Sequence, residues 1–497
     1  MKTQNEKKGL NVSVRSFLTA IAVLLALMVL TYVLTLMIPG GRYERILDDN
    51  GNWIIDTSVA FQYTDGGMPF WKWLLSPILV LGAEGNGTLI AVILFLLVVG
   101  GVFNSLEKCG LMKYMMDRIV NRFGHARYRL LAVMILFFMA LGAFIGSFEE
   151  CVPLVPLVVA LAVRLGWDPL TGMGMSILAA GCGFASGVCN PFTVGVAQRV
   201  AGLPMFSGMW FRLIGFVFIY LLLWWFVRNH AKKVDRMTES GQQKRGWGAK
   251  TCTPERESGI EPPLASGAGA SSDKPFAADK KMDRALICFA GIVGTGILLL
   301  LCSAFITALQ SYSMILVAVM FLAAGIAASL LTGMGAKKMG TAFKNGILSI
   351  LPAVLLILMA SSIKYILTEA NILDTILYYA VTYAGTLPGW MVILFIYLLV
   401  LVMNFFIATG SAKAILMIPL ITPLAQMFGI SAQLCVLAYA FGDGFSNAFY
   451  PTNPVLLISL ELAGVSYGKW AKWSIRFQLM NLVLTSLLLL AGFAIGY

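Results

Sequence analysis

Across 497 residues the chain is 59% hydrophobic and only 12% charged, against roughly 25% charged in an ordinary soluble domain. That excludes a soluble globular protein, and apolar runs of about 20 residues, long enough to span a bilayer, make the chain an integral membrane protein. The formal net charge of +12 is not a nucleic-acid signal, because the basic residues gather on one side of those runs, as orientation in a membrane requires.

Residues 1–16 carry four Lys and Arg and lead into an apolar segment at 17–38. That segment is longer than the 7–15-residue core of a signal peptide, so it reads as a retained first span with the N-terminus cytoplasmic. The loop 39–72 holds three basic and five acidic residues and is placed outside. A second span, 88–104, returns to five Lys and Arg between Lys108 and Arg127, where an amphipathic stretch at 107–123 lies on the cytoplasmic surface. With no water in the bilayer core to satisfy backbone groups, these runs must be helices, since the short alternating strands of a barrel do not occur.

Segments 128–145 and 151–165 flank the polar tip 146–150 and predict a re-entrant hairpin, 128–165; two full crossings are the alternative, and both return the chain to the cytoplasm. A helix broken between Gly187 and Pro191 follows at 169–203, then a span at 208–227. Residues 229–283 read as a disordered cytoplasmic linker, with twelve Lys and Arg between Arg228 and Arg284 and a Gly-Ala-Gly-Ala-Ser-Ser run at 267–272. The linker joins two membrane repeats, 1–228 and 284–497.

The second repeat begins with spans at 285–307, 312–333 and 345–367 and a loop, 369–388, without Lys or Arg. A second hairpin, 389–428, then enters from outside, a second broken helix occupies 431–463, and a span at 477–496 places the C-terminus outside. The additional span at 285–307 turns the second repeat upside down relative to the first. The expected fold is an all-α polytopic membrane protein with two inverted-topology repeats, each holding a re-entrant hairpin and a broken helix.

The repeats are visible in the residues themselves. At an offset of 263 the block Pro156 to Pro191 matches Pro419 to Pro454 without a gap, with identities that include Gly181 and Gly444, Ala185 and Ala448, and the pairs Asn190-Pro191 and Asn453-Pro454. Paired Gly/Pro-interrupted segments in corresponding halves point to a transporter's binding site.

Four polar clusters are expected to converge there. The first tip brings Ser147, Glu149 and Glu150, and the first break brings Ser186, Asn190 and Thr193. The second tip brings Thr409, Ser411 and Lys413, and the second break brings Asp443, Ser446, Asn447, Thr452 and Asn453. Half-helix ends hold anionic groups at their N–H ends and cations at their C=O ends. The candidate substrate-binding residues are therefore Ser147, Glu149, Glu150, Asn190, Thr193, Thr409, Ser411, Lys413, Thr452 and Asn453. Ser186, Asn190, Asp443, Ser446 and Asn447 are candidates for a coupling cation, since hard oxygen ligands suit one.

Each cluster also has a plainer reading. Ser147 and Glu150 have the spacing of a capping box, Lys413 has the charge to neutralise Glu149 or Glu150 instead of touching substrate, and the Asn-Pro pairs are turn-formers. Glu461 is placed near the cytoplasmic end of its helix, and tryptophans such as Trp71, Trp210, Trp390 and Trp470 fall at span ends as an interfacial belt. The eight Cys contain no CxxC pair, and the two His, His125 and His230, both lie in basic stretches. Neither a metal site, a disulfide framework nor a histidine proton relay is expected. No enzyme motif supplies a nucleophile with its base, a metal cluster or a phosphate loop.

The stretches Gly146-Ser-Phe-Glu-Glu150, Gly183-Phe-Ala-Ser-Gly-Val-Cys-Asn-Pro-Phe192, Val196-Ala-Gln198, Ala201-Gly-Leu-Pro204, Phe441-Gly-Asp-Gly-Phe-Ser446 and Tyr450-Pro-Thr452 resemble the YfcC-type branch of the C4-dicarboxylate anaerobic carrier family, within the ion transporter superfamily. The resemblance implies a scaffold domain carrying a homodimer contact, a transport domain of hairpins and broken helices, elevator-like alternating access and a bacterial inner-membrane location. It also implies basic amino acid antiport, with dicarboxylates or short-chain fatty acids carried by relatives. Lys413 is a departure, since a neutral residue is expected there.

The expectation is a secondary active transporter of a small carboxylate-bearing solute in a lipid bilayer, basic amino acids favoured, with Glu149 and Glu150 receiving the cationic group. No cofactor is expected beyond sodium or a proton as coupling ion. A dicarboxylate or short-chain fatty acid carrier, with Lys413 taking the anion, is the alternative. A non-transporting membrane receptor is the alternative of another class.

Overall fold

The computed structural model describes residues 6–47, 53–55, 59–83, 87–123, 126–146, 148–239, 279–303, 313–407 and 409–497. Among them seven helices are long and apolar enough to cross a membrane, and Val354–Glu369 with Leu373–Ala384, bent by 72° at their junction, adds an eighth if counted as one span. The chain is a helical, multi-pass membrane protein. Outward faces are apolar where lipid would meet them, as at Leu221, Trp225, Leu479 and Leu487.

The spans expected at 17–38, 88–104, 312–333, 345–367 and 477–496 lie on helices Glu6–Met37, Gly87–Lys108, Ser313–Leu331, Ala336–Glu369 and Tyr467–Ile495. The span expected at 285–307 appears as Lys280–Ser303, and its last residues lie outside the described ones. The amphipathic stretch is the helix Leu111–Phe123. It is tied at its polar face by Arg164 to Asp117 at 2.9 Å.

The segments read as hairpins and broken helices fold as helices interrupted near the expected points, and Arg127–Ile145, Gly389–Phe406 and Gly410–Met427 are each long and apolar enough to cross a membrane. The first hairpin runs Arg127–Ala140, a π-turn Leu141–Ile145, a 3₁₀ turn Glu149–Leu154 and Val155–Arg164. The second runs Gly389–Phe406 and Gly410–Met427. The first broken helix comprises Pro169–Met173, the π segment Gly174–Leu178, Ala179–Ser186, and, after the break, Pro191–Gly195 and Val196–Val200. The second comprises Ala432–Asn447 and Pro454–Leu462. Pro191–Gly195 is also a π segment, and among the described residues all three lie in the first repeat; π-turns are frequent at functional sites.

One boundary moves. The linker was placed from 229, yet the helix Met209–Glu239 runs ten residues further than Asn229, because its charged residues have partners. His230 lies 3.0 Å from Asp168, and Arg127 lies 3.0 Å from Asp235, which also accepts from Tyr128. The rest of the linker, 240–278, lies outside the described residues.

Helices Gly87–Lys108 and Ala336–Glu369 cross closely: a Cβ on Gly346 would lie 2.2 Å from the Gly100 carbonyl oxygen. A small separate core of Leu24, Met28, Trp73, Met359 and Ile363 fastens the first helix to Ala336–Glu369. The hairpins and broken helices belong to the other, larger core, which also takes in Gly87–Lys108, Lys280–Ser303 and Ser313–Leu331, and almost every side chain of Ala179–Ser186 and Ala432–Asn447 is enclosed in it.

The loop 39–72, read from sequence without structure, holds two antiparallel ribbons, Gly40–Arg42 with Gln62–Thr64 and Arg45–Leu47 with Trp53–Ile55. They are clamped to the helix Leu373–Ala384 by its first turn. Buried Asp374 accepts from the Tyr43 N–H at 3.0 Å and pairs with Arg45 at 2.9 Å, and Phe61 stacks on Tyr378 with ring centroids 4.4 Å apart. Burial and the neighbouring Asp374 carboxylate push the Tyr43 phenol up to about 12, so it stays neutral here. Asp374→Ala is expected to cost about 1.5–3 kcal/mol, the range for hydrogen bonds to a charged group. Arg45→Ala, at the half-exposed end of the pair, is expected to cost about 0–1 kcal/mol. Thermal unfolding of the detergent-purified variants compares the two, and equal losses would show that the clamp does not depend on the buried carboxylate.

Candidate functional site

The two broken helices cross at the middle of the larger body, and their contacts are reciprocal. A Cβ on Gly181 would lie 3.1 Å from the Ala448 Cβ, and one on Gly444 would lie 2.2 Å from the Ala185 Cα. Since Gly444 and Ala448 are the counterparts of Gly181 and Ala185, each helix offers its glycine to the other's alanine. The pairing 181 with 448 and 185 with 444 makes the crossing antiparallel, about a local two-fold. Missing Cβ atoms let the backbones approach this closely.

Beyond each break the chain restarts in the same way. Asn190 precedes Pro191, and its Oδ1 accepts from the N–H groups of Phe192 at 2.9 Å and Thr193 at 3.3 Å. Asn453 precedes Pro454, and its Oδ1 accepts from Val455 at 2.9 Å and Leu456 at 3.4 Å. Both asparagines are N-caps, and each proline takes the N1 position, where its missing N–H costs nothing. The Asn-Pro pairs therefore break the helix and cap its continuation.

Carbonyl ends at the breaks are also engaged. Trp470 donates to the Ala448 carbonyl at 2.9 Å, and Tyr467 to the Phe449 carbonyl at 3.2 Å. At the first break wholly buried Arg212 donates from Nε to the Val188 carbonyl at 3.3 Å. Open side-chain polar atoms also gather at the breaks. Asn190 Nδ2, Thr193 Oγ1, Asp443 Oδ2 and Thr452 Oγ1 are all buried without a hydrogen-bond partner.

The second tip carries the strongest electrostatics. Lys413 Nζ lies 2.6 Å from Asp443 Oδ1, and both side chains are fully buried. The same ammonium donates to Asn404 Oδ1 and, at 3.1 Å, to the Ile407 carbonyl, so two hydrogen bonds and one ion pair surround it. Asn404 Nδ2 in turn donates to the Asp443 carbonyl at 2.9 Å, to Ser446 Oγ at 2.6 Å and to Asn447 Oδ1 at 2.9 Å. Asn453 Nδ2 reaches the same Asn447 oxygen at 3.0 Å. The site thus joins Lys413, Asp443, Ser446, Asn447 and Asn453 into one network through Asn404.

Tip and break of different repeats also meet. The position a Cβ would take on Gly410 lies 2.6 Å from Asp443 Oδ2 and 2.6 Å from Thr193 Cγ2. A Cβ on Gly146 would lie 2.3 Å from Asn190 Oδ1, so the first tip rests on the first break. Both glycines are needed for this approach, and Gly146, at φ 80°, also for its backbone angle.

Several expected residues stand elsewhere. Lys413 was expected to face substrate or to neutralise Glu149 or Glu150; its counter-ion is Asp443, thirty residues along the chain and on another helix. Glu149 and Glu150 sit half-buried on the 3₁₀ turn Glu149–Leu154. The capping-box cap, Ser147, lies outside the described residues, and Phe148 at the N-cap offers no side-chain bond. Ser186 donates back to its own helix, to the Gly183 carbonyl at 2.6 Å. Thr409 and Ser411 are exposed at the second tip.

Two residues that hold the second tip are not among the sequence-derived candidates. Asn404 was hidden in the run Val400-Leu-Val-Met-Asn404, although a lone Asn inside a membrane helix is a signal in its own right. Tyr439, whose hydroxyl donates to the Gly410 carbonyl, looked like an ordinary aromatic core residue.

A family model described as DcuC, C4-dicarboxylate anaerobic carrier, matches residues 17–494. The chain belongs to this carrier family. This DcuC-family protein is 28% identical over 425 residues to the Escherichia coli protein named "Putative basic amino acid antiporter YfcC", covering 83% of this chain and 79% of that one. It is 24% identical over 414 residues to an uncharacterized protein of Haemophilus influenzae, covering 82% of this chain and 76% of that one. Among solved structures it aligns with the YdaH transporter of Alcanivorax borkumensis at 17% identity and a TM-score of 0.43, over 97% of this chain and 99% of that one.

Proposed function

We propose that this carrier is a secondary active transporter of small carboxylate-bearing solutes, exchanging basic amino acids by elevator-type alternating access. In this reading the two repeats are inverted, and hairpins and broken helices move as a transport domain. The helices around Gly87–Lys108 and Ala336–Glu369 are the scaffold and dimer contact. The protein is a homodimer in the bacterial inner membrane, with the N-terminus and linker inside and the C-terminus outside. The reciprocal antiparallel crossing of equivalent helices supports inversion, since parallel repeats would bring equivalent helices together in the same direction.

The observation that carries the substrate class is the Lys413–Asp443 pair. Because Asp443 is the counter-ion of Lys413, Lys413 does not cancel the negative charge of Glu149 and Glu150. Adjacent carboxylates inside a membrane are costly and mark a substrate or ion path. A cationic side chain or amino group is received there, while Asn190 Nδ2, Thr193 and Thr452, whose polar atoms are otherwise unpartnered, take the substrate carboxylate. The relative named for basic amino acid antiport agrees with this charge logic. A dicarboxylate reading needs Lys413 free for the anion, and its burial against Asp443 weighs against that.

Glu149→Gln and Glu150→Gln are each expected to lower arginine counterflow in proteoliposomes roughly ten- to a hundredfold, as the loss of a charge-assisted contact of about 1.5–3 kcal/mol implies. Arginine carried at wild-type rate by both variants, or succinate carried in its place by the wild type, would refute the assignment.

A further inference from the structure

We infer that Lys413 is a resident cation: its ammonium fills the place that a coupling sodium would take at the second helix break, so that exchange proceeds without sodium. This rests on the transport reading above and goes further, by naming what does and does not accompany the substrate.

The ligand set is that of a hard cation. Nζ is held by a carboxylate oxygen at 2.6 Å, by the amide oxygen of Asn404, and by the Ile407 carbonyl at 3.1 Å. Carboxylate, amide and backbone carbonyl oxygens are the donors that suit a hard metal ion. The Ile407 carbonyl is presented by a break: the helix stops at Phe406, and Ile407 is extended at φ −119°, ψ 93°. The Asn404 oxygen is aimed by its own amide nitrogen, which is fixed by the Asp443 carbonyl, Ser446 and Asn447. This is a prepared oxygen cage, and a protein ammonium occupies it.

A second observation, independent of the first, makes the same point at the other break. Arg212 is wholly buried within the span Met209–Glu239 and donates to the Val188 carbonyl at 3.3 Å, the Phe206 carbonyl at 3.3 Å and the Tyr497 hydroxyl at 3.4 Å. Its partners in the structure are carbonyl and hydroxyl oxygens, so a side-chain cation serves this break too. A mobile cation entering either cage would meet a like charge at close range in a low dielectric.

Two measurements test the inference. In proteoliposomes, arginine counterflow by the wild-type protein should stay within about twofold when sodium is replaced by N-methylglucamine, whereas sodium coupling would show as a change of about 5–150-fold. In detergent, Lys413→Ala empties the cage and leaves Asp443 unpaired. Its melting temperature should rise by several degrees with sodium, potassium or propylammonium chloride over choline chloride at equal ionic strength. Neither the wild type nor Lys413→Ala/Asp443→Asn should respond. Sodium-dependent wild-type flux, a Lys413→Ala protein indifferent to every cation, or an equal response in the double variant would each overturn the inference. If Lys413→Ala is not recovered folded, the wild-type sodium series decides alone. If the wild type carries no arginine at all, the substrate reading fails while the melting series still answers the question about the cation.

Discussion

Asp443→Asn is expected to be among the most damaging single substitutions in the chain. It leaves the Lys413 ammonium, fully enclosed, without its counter-charge. Breaking a buried pair by removing one partner costs about 3–5 kcal/mol, because the remaining charge stays desolvated. Lys413→Met is expected to be equally damaging from the other side. The double variant Lys413→Met/Asp443→Asn should recover most of that loss, since removing a buried pair altogether is often neutral or stabilising. Thermal unfolding and the yield of monodisperse protein make up the double-mutant cycle. If the two single losses simply added in the double variant, the pair would not be acting as a pair. Recovered stability without recovered transport would separate the fold's need for the pair from the carrier's.

The second large effect is expected at the helix crossing, and its size should differ between two residues that sequence comparison makes equivalent. Gly444→Ala puts a Cβ 2.2 Å from the Ala185 Cα and 2.4 Å from its nitrogen. These are backbone atoms within a packed helix and have nowhere to go. Gly181→Ala meets the Ala448 Cβ at 3.1 Å and the Phe148 ring at 3.4 Å, contacts that a few tenths of an ångström relieve. Overpacking in a dense core costs about 1–3 kcal/mol and sometimes more. Gly444→Ala should lie at or above the top of that range, and Gly181→Ala at or below its bottom. Melting temperatures of the two variants decide it, and equal losses would mean that the crossing is symmetric in packing as well as in pattern.

Much of the larger body is legible in the sequence. Asn190 and Pro191 recur as Asn453 and Pro454, Gly187 adds to the first break, and punctuation by Gly, Pro and Asn is a local property that sequence carries directly. The capping role of the asparagines is local too, two and three residues along the chain. What was not legible is tertiary. Nothing near Lys413 names Asp443 as its partner, because the helix Gly410–Met427 must first fold against Ala432–Asn447. Asn404 was lost to the hydropathy of its neighbours. The charged residues after Arg228 looked like the start of a linker because their partners, Asp168 and Arg127, lie far back in the sequence. The ribbons of 39–72 are only three residues long in each strand, too short for an alternation to be read.

The reciprocal crossing has a thermodynamic meaning. In the proposed exchange of conformations between the two halves, the tight approach at Gly444 and the looser one at Gly181 would trade places, so the crossing itself distinguishes the inward-facing from the outward-facing population. Any resting preference must then come from places where the halves differ. The sharpest of these is a single pair of equivalent positions, with a carboxylate at Glu150 in one half and a buried ammonium at Lys413 in the other. On the proposed cycle the two unequal approaches at the crossing and these two charges are where the halves would weigh differently on the two populations.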